Sequence, residues 1–96
     1  MTTVTLTDRV VVPEAVLCKE IDGETVVLNL DSGVYFGLDA VATDMWRGLQ
    51  TGVPLNEVAS TLETSYAVEP AVLRADLLQL VNQLIAKGLV TVAPPG

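Results

Sequence analysis

Apolar residues recur at every second position early in the chain and at helical spacing later, so strands precede helices. Val16–Ile21 and Thr25–Leu30 read as two strands, joined by Asp22-Gly23, the dipeptide of a two-residue hairpin. In the second run Val26, Leu28 and Leu30 share one face and Thr25, Asn29 and Asp31 the other, the alternation of a half-buried strand. Asp31-Ser32-Gly33 reads as the next turn, with Gly33 free to take a positive φ, and Val34-Tyr35-Phe36-Gly37-Leu38 as a third strand. Upstream, residues 1–12 are rich in Thr and Val and read as a loose arm or a short edge strand, broken by Pro13.

Beyond Leu38 the period changes. Asp39 suits an N-cap, Val41, Met45, Trp46 and Leu49 fall on one helical stripe, and Gly52 is placed to end that helix. Pro54 suits a first turn, followed by the stripe Leu55, Val58, Ala59 and Leu62 and an end near Tyr66. Glu69-Pro70 opens a third helix with a broad apolar face of Leu73, Leu77, Leu80, Val81, Leu84 and Ile85, widened by Leu78, and Lys87-Gly88 closes it. Leu89–Ala93 is a candidate final strand and Pro94-Pro95-Gly96 a tail. The expected fold class is α+β: a three-stranded antiparallel meander followed by a three-helix bundle, winged-helix-like, in one domain spanning 1–96 with its core at about 14–92.

Composition narrows the chemistry. With 96 residues, half of them apolar, the chain can build one core but not two. It has no histidine and one cysteine, which removes imidazole-based triads, Cys/His metal sets and internal disulfides. The carboxylates fall at strand ends, turns and helix polar faces, where solvation explains them, and Asp31-Ser32-Gly33 lacks the alternating oxygen ligands of a calcium loop. No glycine-rich phosphate loop occurs. The expectation is therefore a protein that is not an enzyme, needs no cofactor and binds no metal. Five Lys and Arg against twelve Asp and Glu give a net charge of −7. A winged helix would need cations for phosphates and polar groups for bases, and the third run of helix offers Arg74, Gln79, Asn82, Gln83 and Lys87 with Asp76 among them. The acidic field opposes that use, so nucleic acid is not the expected partner. The start of the chain lacks the pattern of a signal peptide, and no apolar run is long enough to span a bilayer, so no membrane association and a cytoplasmic location are expected.

One segment remains without a structural explanation. Val34–Leu38 carries no charge and no proline, so as an edge strand it lacks the usual protection against pairing with another chain. An extended peptide could add there as a further strand, and Gly37 offers close backbone approach. Alternation sends Tyr35 and Phe36 to opposite faces, and which face meets a partner is left open by spacing. The same edge could exchange strands in a homodimer.

The run Glu24-Thr-Val-Val-Leu-Asn-Leu-Asp-Ser-Gly-Val-Tyr-Phe-Gly-Leu-Asp39, followed by Trp46, Val58-Ala-Ser-Thr-Leu62, Tyr66 and Leu77…Leu84…Gly88-Leu89-Val90, resembles the PqqD-like family of recognition elements for ribosomally made, post-translationally modified peptides. That resemblance implies capture of a precursor leader peptide as an added strand between the third strand and the third helix, and its delivery to a separate modifying enzyme such as a leader peptidase. The chain is most similar to the small stand-alone recognition proteins of lasso-peptide clusters, with the pyrroloquinoline-quinone peptide chaperone as the alternative. By position the resemblance assigns the pairing edge to Val34, Tyr35, Phe36 and Gly37. It assigns the helical wall to Leu73, Arg74, Asp76, Leu77 and Leu80, and a pocket floor to Val27 and Leu28.

Overall fold

A computed structural model describes residues 4–93, so the expected tail at 94–96 lies outside the described residues. The elements run β1 (Val10–Val11), β2 (Val16–Ile21), β3 (Glu24–Asn29), β4 (Tyr35–Leu38), α1 (Ala40–Leu49), α2 (Leu55–Ser65), α3 (Pro70–Ala86) and β5 (Thr91–Val92). Strands β2, β3 and β4 form the antiparallel meander, in that order across the sheet. A second, two-stranded sheet pairs β1 with β5.

Local chemistry explains most boundaries. Asp22 (φ 53°) and Gly23 (φ 82°) both take positive φ, the geometry of a tight hairpin turn between β2 and β3. The Asp39 carboxylate accepts the Ala42 N–H at 2.9 Å and starts α1. That helix ends at Leu49 with Gln50 as its cap, and Gly52 serves the turn beyond it. Gly48 lies inside α1 because a Cβ there would meet Val58 Cγ1 at 2.7 Å, so α1 and α2 touch almost backbone to side chain. At the end of α3, Gly88 (φ 72°) lets the Leu89 N–H reach back to Leu84 O at 2.9 Å.

From Val4 onward the amino-terminal segment is not a loose arm: it carries the short strand β1 and joins the core. Helix α2 begins after Pro54, which has no side chain to cap it. Its exposed N–H groups are taken instead by the arm: Leu55 N donates to Asp8 O at 2.9 Å and Asn56 N to Leu6 O at 2.8 Å. Val4 and Val10 are buried, Val4 N donates to Asn82 Oδ1 at 3.2 Å, and β1 is sealed by β5. Among the described residues the packed unit therefore includes Val4 and Val10, upstream of the expected core boundary near 14.

The buried face of β3 also differs from what its alternation favours. Thr25 and Val27 are 3% and 0% exposed, whereas Val26 and Leu30 are 45% and 57% exposed. Helix α1 packs on the Thr25/Val27 side, so that side joins the core of Trp46, Leu49, Leu55, Leu77, Leu84 and Leu89. Register then puts Leu17, Ile21 and Tyr35 on the outer face with Val26 and Leu28, leaving an exposed apolar sheet surface.

Candidate functional site

Strand β4 is the last strand of its sheet, with β3 on one side only. Its pairing phase follows from one bond: Asn29 N donates to Val34 O at 2.9 Å, and the register then sets Phe36 against Val27 and Leu38 against Thr25. In an antiparallel ladder alternate residues turn their backbone groups to alternate sides. Residues 34, 36 and 38 therefore face β3, and the N–H and C=O of Tyr35 and Gly37 face the open edge. An incoming strand meets four backbone groups there.

The side chains alternate in the other direction. Phe36 turns inward and is half-buried, with Lys87 Nζ 5.5 Å from its ring centroid. Tyr35 turns outward and is 71% exposed. Gly37 also lies on the outer side, where an added Cβ would meet nothing within 4 Å. Beside this edge runs one flank of α3. Asp39, Val41, Ala42 and Met45 from the start of α1 and Asp76, Gln79, Leu80 and Gln83 from α3 enclose a groove of about 410 Å³. Its base is apolar (Leu80 and Met45), and its rim is formed by carboxamides and carboxylates.

One residue ties the sheet to the helix. Asn29, at the end of β3, donates from Nδ2 to Gly88 O at 2.9 Å. Its Oδ1 accepts the N–H groups of Asp31 (2.8 Å) and Ser32 (3.1 Å), and its own C=O accepts Gly33 N at 2.8 Å. The β3–β4 turn is thus tied to the residue that follows the end of α3.

The residues expected by resemblance divide into two groups. Tyr35, Phe36 and Gly37 form the edge, and Asp76 and Leu80 line the groove, with half-buried Val34 at the entry to the strand. Val27, Leu73 and Leu77 are 0%, 2% and 0% exposed and belong to the core beneath the groove, because α3 turns its apolar face to α1 and α2. Leu28 lies on the outer sheet face beside Leu17 and Val26, away from the groove. Arg74 is on the opposite flank of α3, where its Nε lies 3.1 Å from Glu63 Oε1. Position alone brought in Asn29, Gln79, Gln83, Lys87 and Met45. Asp76, Gln79, Gln83 and Lys87 do follow a polar stripe at helical spacing in the sequence, which is the signal that marks this flank.

Among the described residues no group of three or more His, Cys, Asp or Glu is placed to hold a metal ion, and no helix is long and apolar enough to cross a membrane. Residues 24–90 match the family model described as coenzyme PQQ synthesis protein D (PqqD). The chain is similar to a solved structure titled TbiB1 in complex with the TbiA(beta) leader peptide. It is 32% identical to that chain, covering 88% of this one and 98% of the other with a TM-score of 0.79. It is also similar to lasso peptide synthetase B1 complexed with the leader peptide, at 25% identity, 86% and 98% coverage and a TM-score of 0.78. No curated protein matches it by sequence.

Proposed function

The chain belongs to the PqqD family, and from that premise we propose that it is a non-catalytic protein that captures the leader of a ribosomally made precursor peptide by strand addition. The observation that carries this reading is the unpaired edge of β4, which leads into a groove between the start of α1 and α3 and meets the end of α3 where Lys87 lies over Phe36. A flexible leader loses conformational freedom when it binds. Four edge hydrogen bonds, each worth about 0.5–1.5 kcal/mol net, offset part of that loss. Apolar side chains buried against Phe36, Leu80 and Met45, at about 25 cal/mol per Å², supply the rest. Micromolar binding needs about 8 kcal/mol net, so edge and groove must act together. Both solved relatives are complexes with leader peptides, which supports the lasso-peptide role over the pyrroloquinoline-quinone alternative. The bound leader is then presented to a separate modifying enzyme such as a leader peptidase, in the cytoplasm.

The test is a calorimetric titration of candidate leader peptides against two substitutions at one position. Gly37→Pro removes an edge N–H while leaving the β3–β4 bonds, and it is expected to weaken binding at least tenfold. Gly37→Ala keeps the N–H and its Cβ enters open space, so it should bind as the native protein does. Equal affinity of the proline and alanine variants would refute strand addition. Light scattering with and without leader shows whether a second copy of the chain takes the same edge.

A further inference from the structure

The groove beside β4 is electrically lopsided. Asp39 and Asp76 rim the end where β4 runs into α1. One oxygen of Asp39 caps Ala42, and neither carboxylate is in an ion pair among the described residues. Past the groove, at the carboxy-terminal end of α3, Lys87 lies over Phe36 and is also outside any ion pair among the described residues. Elsewhere in the bundle cations are matched: Arg47 with Glu20 and Asp44, and Arg74 with Glu63. Apart from the two carboxylates the groove lining is apolar or carboxamide, Val41, Ala42, Met45, Leu80, Gln79 and Gln83, and Lys87 stands beyond it, one helical turn past Gln83.

We propose that this groove selects its peptide by the order of its charges. The preferred leader carries a Lys or Arg on the amino-terminal side of the paired segment and an Asp or Glu four to six residues later. This deepens, and rests on, the strand-addition reading. Direction follows from the sheet, in which every pair is antiparallel. A strand added to β4 in the same sense begins beside Asp39 and Asp76 and ends beside Phe36 and Lys87. Spacing follows from the helix. Asp76 and Lys87 are separated by about 16 Å at roughly 1.5 Å of rise per residue. That span equals about five residues of strand at roughly 3.3 Å each, and side chains on one face are separated by even numbers. The chemistry of the first end suits a long cationic side chain, whose methylenes lie along Val41 and Leu80 while its head group reaches the carboxylates. Among the described residues the other cations outside any ion pair, Arg9 and Lys19, lie on the amino-terminal segment and on β2, so along this groove Lys87 is the cation that an acidic side chain meets.

The experiment is selection of random displayed peptides on the native protein and on the double variant Asp76→Lys, Lys87→Glu, both exposed positions. The native protein is expected to enrich the basic-then-acidic order and the double variant the reverse. Exchanging the two charged residues of a native-selected peptide should weaken its binding about tenfold at low salt, since two attractions become two repulsions. The difference should fall to within about twofold at 1 M salt, where screening acts over roughly 3 Å. Asp76→Asn alone, which leaves α3 and its end untouched, should lose the enrichment of the basic residue. Circular dichroism confirms that each variant is folded. Selected peptides are then measured on Gly37→Pro. Peptides that lose binding there but show no charge order overturn the charge assignment and leave strand addition standing. Peptides indifferent to Gly37→Pro, or no enrichment at all, overturn both.

Discussion

The two edges of the three-stranded sheet are built for opposite purposes. Edge strand β2 carries Lys19 and Glu20, and a chain of polar contacts pins it down: Glu20 pairs with Arg47, Arg47 donates to Asp44 at 3.0 Å, and the Tyr66 hydroxyl donates to Asp44. Charge and a fixed tertiary partner are ordinary protections of a strand edge. Edge strand β4 has neither. Its protection is shortness, because only Tyr35 and Gly37 present outward backbone groups, too few to hold a chance partner. Adding the flank of α3 changes that balance, since a peptide that fills the groove gains apolar contacts besides the four hydrogen bonds. An unguarded edge is thus safe when it is brief, and selective when a shaped wall stands next to it.

The comparison is broken most severely by removing what roots the wall. Leu77 is fully buried at the centre of the face that α3 turns to the core. Leu77→Ala is expected to cost about 2–5 kcal/mol, a large share of the stability of a domain this size, read as a lower denaturant midpoint. Binding per folded molecule should change little, which separates a core residue from a groove residue. Asn29→Ala comes next. It removes three solvent-exposed hydrogen bonds, to Gly88 O and from the turn N–H groups of Asp31 and Ser32, for which water substitutes in part, at an expected cost of about 0.5–1.5 kcal/mol. Because Asn29 also ties the β3–β4 turn to the end of α3, leader affinity should fall several-fold in titrations on the folded protein.

A smaller effect compares the edges directly. The register turns the Cys18 N–H to the free side of β2, as that of Gly37 is turned to the free side of β4. Cys18→Pro should leave leader affinity within about twofold of native, against the loss of tenfold or more expected for Gly37→Pro. The smallest effect concerns the polar chain behind β2. Donation to Asp44 raises the Tyr66 phenol above its ordinary 10.0, with burial and the Asp44 charge adding to the rise and Arg47 opposing it. A raised phenol adds stability that is complete below 10.0 and lost as pH rises through the folded value. In Tyr66→Phe the melting temperature should therefore decline less steeply above that pH, and leader affinity at neutral pH should not move.

Element order, both tight turns, the Asp39 cap and the proline opening of α3 were legible in the residues. Each depends on a local rule: a dipeptide that tolerates positive φ, a carboxylate one turn ahead of its N–H, a ring that needs no donor. The unguarded character of Val34–Leu38 was legible for the same reason, being a property of composition. The resemblance assigned Leu73 and Leu77 to the binding wall, but a helix packed on two others spends those side chains on its own core. Of the residues weighed and set aside for nucleic acid, Gln79 and Gln83 line the groove together with Asp76, and Lys87 lies over Phe36.

The sequence by itself determined the three meander strands and the three helices, their starts to within about a residue, and that Val34–Leu38 is free of charge, since these follow from composition and from contacts within a few residues. Tertiary structure decided which face of β3 turns inward, which flank of α3 stays open, and that a segment near the amino terminus caps α2. Strand β3 offers apolar residues on both of its faces, and α3 carries them around most of its circumference. In such elements periodicity does not choose a side. The choice falls to the packing of α1 and to bonds such as Asn29 to Gly88, which join residues far apart in the chain.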